Sequence, residues 1–427
     1  MTTAQPIPTS ESERPSGGPE IRVIEADFRR DTRWIEFLSK HRDALIYHHP
    51  GWLSALEAEY GRECVTLACE GSDGKFLGVL PLLSTRGLPL RLSSRNRVVA
   101  RLSSLPRTPL AGPLATDDRV MTALLRAAIQ KVQTLTNTQL EIKTLHPGLE
   151  KLVPELECVP WRETYVRGTP SNQAPVRDMV GPQMREPRTC TSCDECRILT
   201  FGSARDNHRA RWAANKASKQ GVSLRDAQNE SELRAWYSLY LRVMRRNTVP
   251  PRPYRFFRQL WKELAADGHM ELMLAEREAV TTSLRENPDV STANQSAFPH
   301  SDTMAGSVLL QYGHTAFWAF TGLRDEGAPL HATDLIVWNG IHTACRRGYD
   351  YFDLGEVAEN HPELSQFKAK WGTFRRPMYR YYYPALAAGE FSDHSHDSRM
   401  VSLAASVWRR LPLAVTALLG DWIFRYL

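Results

Sequence analysis

One order of elements occurs twice along this chain, and that repetition constrains the fold more than any single motif. From residue 21 the pattern gives an extended run, Ile21-Arg-Val-Ile-Glu, then helices over 32–42 and 50–60. Strands follow at 64–69 and 76–83, parted by Glu70-Gly-Ser-Asp-Gly-Lys75, a loop of hairpin-turn residues. After an irregular Arg/Ser/Pro section come a periodic helix over 118–135, an alternating strand over 139–144 and a short helix over 149–156. The second copy starts at Val222-Ser-Leu-Arg-Asp, with helices over 232–245 and 252–265. Strands at 271–276, 306–312 and 315–320 then lead to a helix over 332–347, a strand over 349–354 and a helix over 363–371. A tyrosine-rich strand over 378–383 closes it. Both copies run strand, two helices, strand meander, helix, strand, helix, strand. That order predicts an α/β (α+β) protein of two tandem domains, each a mixed sheet flanked by helices.

A chain of 427 residues, 42% of them hydrophobic, is long enough to bury two cores. The segment 1–20 is rich in Pro, Ser, Thr and Glu without the apolar core of a signal peptide, and is expected to be disordered. The first domain is placed at 21–166, a linker at 167–190, and the second, catalytic domain at 191–385 with a loop insert at 279–304. Residues 386–427 read as a polar linker and an amphipathic tail.

Lysine and arginine number 54 against 48 acidic residues, a formal charge of +6. This mild excess permits an anionic substrate or an acidic membrane surface without demanding nucleic acid, so DNA is not an expected partner. No run of 18 apolar residues occurs, and no spanning helix is predicted. Seven cysteines without a disulfide-like framework predict a reducing, cytoplasmic setting. Cys190, Cys193 and Cys196 form C-x2-C-x2-C, but a zinc or iron–sulfur site needs a fourth ligand and Cys158 is distant in sequence. Neither a metal nor a permanently bound cofactor is expected.

The segment from Asp206 to Val222 reads as a helix that places Arg205, Arg209, Trp212, Lys216 and Lys219 on one face. Gly221 ends it where a left-handed residue is needed. Four cations and an aromatic on one face suit a ligand bearing phosphate. The alternative is a solvated basic face with Trp212 buried beneath it.

Three segments carry a family resemblance. The basic helix, ending Lys216-Ala-Ser-Lys-Gln-Gly-Val222, resembles the "R-x-x-R-K-A-x-K-x-G-V" segment of Fem-type peptidoglycan aminoacyltransferases and their relatives of the GNAT superfamily. Gly348-Tyr-Asp-Tyr-Phe-Asp-Leu-Gly355 is similar to their "G-x-x-x-x-D-x-G" strand end, and Phe367-Lys-Ala-Lys-Trp-Gly372 to their "F-K-x-x-F/W-G" segment. These motifs span about 205–383, whereas the first half is similar by element order alone. The nearest subgroup is the BioF2-like acetyltransferases. The resemblance implies two GNAT-like domains in tandem and an N-acyltransferase acting on an amine of a sugar, peptidoglycan or exopolysaccharide precursor in bacteria. The donor would be acyl-CoA or aminoacyl-tRNA, and the acceptor an anionic small molecule or a lipid-linked one.

Site residues follow from the same match. Lys368, expected on an exposed helix position at a cleft, would stabilise negative charge. Asp353 at a strand's carboxyl end would orient or deprotonate the amine, or else cap the next helix, with Glu356 as the second base. Arg209, Arg211, Lys216 and Lys219 would hold the anionic part of donor or acceptor. Phe367 and Trp371 are expected beside the substrate, with the core as the alternative for Trp371. A donor-phosphate loop belongs between the strand and helix at Arg324-Asp-Glu-Gly327-Ala-Pro329, where Arg324 and Gly327 fit, Pro329 removes an amide donor, and Asp325 and Glu326 repel phosphate. A catalytically idle protein that recruits a nucleotide- or lipid-linked precursor to an envelope-synthesis complex is the alternative function. In the tail, Pro412 splits 400–427 into two short pieces, each with a tryptophan and an arginine. They suit peripheral contact at the inner face of the membrane, or else packing onto the first domain.

Overall fold

The structure is a computed structural model that describes residues 20–86, 100–169, 204–277, 302–358, 361–385 and 405–424. The first half comprises β1 (Ile21–Glu25), α1 (Thr32–Lys40), a 3-10 turn (Ile46–His48), α2 (Pro50–Tyr60), β2 (Val65–Gly71), β3 (Phe76–Thr85), β4 (Ala100–Ser103), β5 (Leu114–Ala115), α3 (Asp118–Gln133), β6 (Thr138–Thr144), α4 (Leu149–Leu152) and β7 (Glu157–Gly168). The second comprises α5 (Ala204–Lys219), β8 (Val222–Asp226), α6 (Glu230–Arg246), α7 (Tyr254–Leu264), β9 (Met270–Arg277), β10 (Asp302–Tyr312), β11 (Thr315–Leu323), α8 (Ala332–Arg346), β12 (Tyr351–Val357), α9 (Pro362–Ala369), β13 (Phe374–Tyr383) and α10 (Leu413–Phe424). Local chemistry sets the boundaries. Asp117 accepts from the Val120 amide and starts α3, and Asn229 accepts from the Glu232 amide and starts α6. Pro50 opens α2, whose end is Gly61 in the left-handed region.

Among the described residues thirteen strands form one sheet, ordered β1-β2-β3-β4-β6-β13-β7-β12-β11-β10-β9-β8, with β5 beside β3. The halves meet by exchanging their closing strands. β13, from the end of the second half, pairs antiparallel with β6 of the first half, Tyr381 opposite Ile142. β7, from the end of the first half, pairs antiparallel with β12, Phe352 opposite Arg167. β13 and β7 also pair with each other at the seam. Two pairs in the sheet are parallel, β4 with β6 and β11 with β12.

Three apolar clusters cover the sheet. The largest joins α1, α2, α6 and α7 and so belongs to both halves, with Trp34, Trp52, Trp236 and Phe256 fully buried. α2 lies close on α7, because a Cβ at Gly51 would stand 2.5 Å from Leu264. A buried ion pair crosses the same contact: Arg252 donates to the Glu59 carboxylate and, at 2.6 Å, to the Arg107 carbonyl. The second cluster joins α5 and α8 to β10–β12, and the third packs α3 on β2, β3 and β6.

Three expectations change. The loop insert expected at 279–304 ends earlier, because β10 begins at Asp302, and the rest of it lies outside the described residues. The linker expected from 167 begins later, since β7 runs to Gly168 and Thr169 remains tied to the Asp350 carbonyl; from residue 170 it too lies outside. The tail packs on the second half, not the first: Gly420 abuts Pro251, and Asp421 pairs with Arg255 at 2.6 Å. The segments 1–19 and 386–404, with Cys190, Cys193 and Cys196, lie outside the described residues. No described helix is long and apolar enough to cross a membrane, and no described group of side chains could hold a metal ion.

Candidate active site

β11 and β12 run parallel only from Thr315/Tyr351 to Phe317/Asp353. Beyond that point β11 continues beside β10 to Leu323, while β12 breaks its register with β7 between Asp353 and Glu356. The strands therefore part, and Asp353 stands at the vertex of the fork. Such openings at strand carboxyl ends are where open α/β sheets bind ligands.

The break in β12 is built around Gly355, whose φ of 82 is a left-handed value that costs glycine nothing. This kink points the Gly355 amide back at Asp353, 2.7 Å from Oδ1. The Thr164 hydroxyl donates to the same oxygen at 2.6 Å from β7. Among the described residues both hydrogen bonds of the carboxylate end on Oδ1. Asp353 is 5% exposed, and burial pushes its carboxyl above the usual range although both donors pull it down. It does not cap the next helix, since His361 stands at the N-cap of α9.

Lys368 is 4% exposed, which corrects the expectation of an open cleft position. Its ammonium turns inward from α9 and donates to the Gly355 and Glu356 carbonyls, each at 3.0 Å. Burial lowers its pKa to about 8, against the attraction of Asp353 and Glu356. The lysine thus clasps the kink that shapes the fork. Glu356, half-buried, accepts from Arg162 at 3.1 Å. Phe367 packs between Trp318 and Trp371, ring centroids 5.8 and 6.3 Å away. Trp371 is fully buried, which places it in the core.

The first half contributes a residue that the sequence did not reveal. Tyr47 lies in the 3-10 turn, its ring 5.0 Å from Phe317 and 4.9 Å from Trp52. Burial first, and then the charges of Asp353 and Glu356, hold its phenol protonated well above the usual range. Its backbone is fixed by neighbours: the Trp34 indole donates to the His48 carbonyl at 3.1 Å, and His48 Nε2 meets the Gly112 carbonyl at 3.0 Å. Nothing in Tyr-His-His-Pro signals a site, because the contact to β11 crosses the two halves.

The first half has a fork of its own after the last parallel pair, Ser103 with Glu141, so Glu141 occupies the place that Asp353 holds in the second. It is closed by charge. Glu141 accepts from Ser103 at 3.0 Å, Arg380 at 2.8 Å and Tyr382 at 3.2 Å, with the Lys143 ammonium 3.9 Å away. Burial opposes ionisation there, but Lys143 and Arg380 hold the carboxyl down at about 2.

Near the amino end of α8 the expected donor loop forms a 3-10 turn, Asp325–Gly327, with Arg324 at its start. Gly327 is needed for close approach, since a Cβ would stand 2.6 Å from the Met304 carbonyl. In the first turn of α8, Asp334 pairs with Lys370 and, at 3.2 Å, with His331 Nδ1. α5 borders this end. Its alanines, Ala210, Ala213, Ala214 and Ala217, are buried, and Arg205, Arg209, Arg211 and Lys219 are exposed. Lys216 is partly buried, its ammonium 4.7 Å over the Trp212 ring. Trp212 is 50% exposed rather than buried beneath the cations, and its ring meets His331 at 5.2 Å. The basic face thus borders the start of α8, which Lys370 at the end of α9 also reaches.

Residues 300–369 match the family model for the acetyltransferase (GNAT) domain, a span that holds β10, β11, α8, β12 and α9. Comparison with curated protein sequences finds none that matches. Among solved structures, FemX is similar with a TM-score of 0.58 at 14% identity, covering 84% of this chain and 96% of that one. The C-terminal domain of a putative lysylphosphatidylglycerol synthetase from Agrobacterium fabrum gives a TM-score of 0.49 at 9% identity, covering 88% and 94%. A tandem GNAT protein from the clavulanic acid biosynthesis pathway gives 0.45 at 11%, covering 86% and 100%. Residues 300–369 thus match the acetyltransferase (GNAT) domain, and the chain as a whole shares the fold of FemX.

Proposed function

We propose that this protein is an N-acyltransferase that moves an acyl group directly from donor to acceptor. The acceptor is an amine of a sugar, peptidoglycan or exopolysaccharide precursor in bacteria, an anionic small molecule or a lipid-linked one met at the cytoplasmic face of the membrane. The observation that carries this reading is Asp353 at the vertex of the fork, with its two hydrogen bonds gathered on one oxygen. The other oxygen is then available to orient the amine and take its proton, and the raised pKa of the buried carboxyl makes it a better base. In the step, the amine nitrogen bonds to the donor carbonyl carbon, the carbon–sulfur bond of acyl-CoA breaks, and the leaving thiolate recovers a proton. The proton that Asp353 takes from the amine balances that step. Lys368 acts by fixing the kink and by its positive charge near the developing oxyanion. Arg209, Arg211, Lys216 and Lys219 hold the anionic portion of donor or acceptor.

A second reading has one observation in its favour. Asp325, Glu326 and Asp334 crowd the end of α8 where a donor pyrophosphate would rest, which suits an aminoacyl-tRNA donor or an idle protein that only recruits a precursor. Incubation with acetyl-CoA and a panel of amino sugars, with thiol release as the readout and aminoacyl-tRNA in parallel, separates these. Release with wild type and none with Asp353→Asn supports acyl-CoA transfer. Transfer from tRNA alone reassigns the donor. No transfer from either, with precursor binding retained, leaves the recruiting protein.

A further inference from the structure

The helix α10 turns large apolar side chains toward water. Thr416, fully buried, and Gly420 face the protein, and Asp421 pairs inward with Arg255. Outward stand Val415, Leu418, Leu419 and Trp422, at 36%, 70%, 38% and 43% exposure. Their spacing of three, four and seven residues makes one continuous stripe along the helix. Surface helices ordinarily bury that stripe and expose the polar one. Here the polar contacts pin the helix so that its apolar side stays out, and the Arg245 guanidinium donates to the Leu411 carbonyl at 2.9 Å to hold its start. On the preceding turn Val407 is 55% exposed, and Arg409 and Arg410 are exposed beside it.

We infer that this stripe is a docking surface for a bilayer with anionic headgroups. The occupant follows from shape and charge. A stripe of four large apolar side chains, with Val407 on the preceding turn, falls well short of the roughly 20–30 residues a side that a stable protein interface buries. It is the size and form of an interfacial helix that inserts to the acyl boundary. Arg409 and Arg410, exposed on the turn before the helix, offer charge to lipid phosphates, and Trp422 supplies the ring that settles at headgroup depth. The inference is independent of which acyl group or acceptor the fork handles.

Flotation of the full chain tests it, using vesicles of phosphatidylcholine alone and of phosphatidylcholine with phosphatidylglycerol in equal parts. Wild type is expected to float with the anionic vesicles and to release at high salt. Leu418→Glu is expected to weaken this by about tenfold or more, because an inserted leucine is replaced by a charge. Arg409→Glu with Arg410→Glu is expected to remove the preference for the anionic vesicles. These side chains are exposed, so an unchanged melting curve separates lost docking from lost folding. Wild type that floats with neither vesicle overturns the inference. So does a dimer in solution that Leu418→Glu dissociates, which would assign the stripe to a second copy of this chain.

Discussion

Replacing Lys368 by methionine keeps most of the aliphatic stem and removes its charge, so it measures what the clasp on the β12 kink is worth. The ammonium donates to the Gly355 and Glu356 carbonyls. Hydrogen bonds from charged donors contribute about 1.5–3 kcal/mol each, and losing the donor leaves two carbonyls short of a partner. The opposite effect is desolvation. Burial lowers the lysine from 10.5 to about 8, so keeping it charged in the fold at neutral pH costs about 3 kcal/mol. Methionine loses the first contribution, about 3–6 kcal/mol for the two bonds, and escapes the second, for a net loss of about 0–3 kcal/mol at neutral pH. The pH dependence identifies the residue. Between about 8 and 10.5 the unfolded lysine still holds a proton that the folded one has released, so the unfolded state binds more protons and wild-type stability rises with pH. Below about 8 both states are protonated and the penalty is constant. Urea denaturation from neutral pH to 10 therefore gives a stability difference between wild type and variant that grows through this window. Lys143 is lowered to about 8 as well, but it is present in both proteins and cancels in the difference. Parallel stability curves would refute a buried, charged Lys368.

Three further outcomes follow from the geometry. Asp353→Asn is expected to reduce kcat by about 10²–10⁴ with little change in melting temperature, the range for loss of a positioned base. The acidic limb of the wild-type rate profile should fall above the ordinary carboxylate range, because the raised carboxyl must lose its proton to act; full activity of the variant would dismiss the base. Glu59→Gln leaves Arg252 buried beside a neutral partner and should lower stability by about 3–5 kcal/mol in a denaturant titration, whereas a surface pair would shift it by under 1. Charge reversal at Lys216 and Lys219 should weaken binding of the anionic substrate by about 1–3 kcal/mol, with a shallower salt dependence; equal affinity across a salt series would leave a solvated basic face.

Elements with strong local periodicity were legible in the sequence. The α2 helix begins and ends at the residues its proline and glycine indicate, and the hairpin of β2 and β3 turns where Gly71–Gly74 demands. Short or irregular strands were not: β4 and β5 are four and two residues long within the Arg/Ser/Pro section, and Pro160 interrupts the alternation of β7. The site divides in the same way. Asp353 beside Gly355 is local and its place at the strand end was legible, since a carboxylate at a strand end before a glycine carries its own signal. Thr164 and Tyr47 were not found, because each reaches the fork by a pairing or packing contact across more than a hundred residues of chain. Lys368 lies on the helix expected of it, but buried rather than exposed. Helical periodicity gives the face a residue occupies but says nothing of a kinked strand waiting beneath it.

The exchange of closing strands bears on how the protein is made. β13 occupies the slot between β6 and β7, so the amino-terminal sheet stays open until residue 383 has left the ribosome. Synthesis at about 5–20 residues per second leaves the β6 edge unpaired for many seconds, in the form most prone to stray strand addition. Neither half severed near residue 200 would own a complete sheet, and each would present the complementary vacancy of the other. Coexpressed as two separate polypeptides, the halves should find one another and reassemble, while either alone should aggregate.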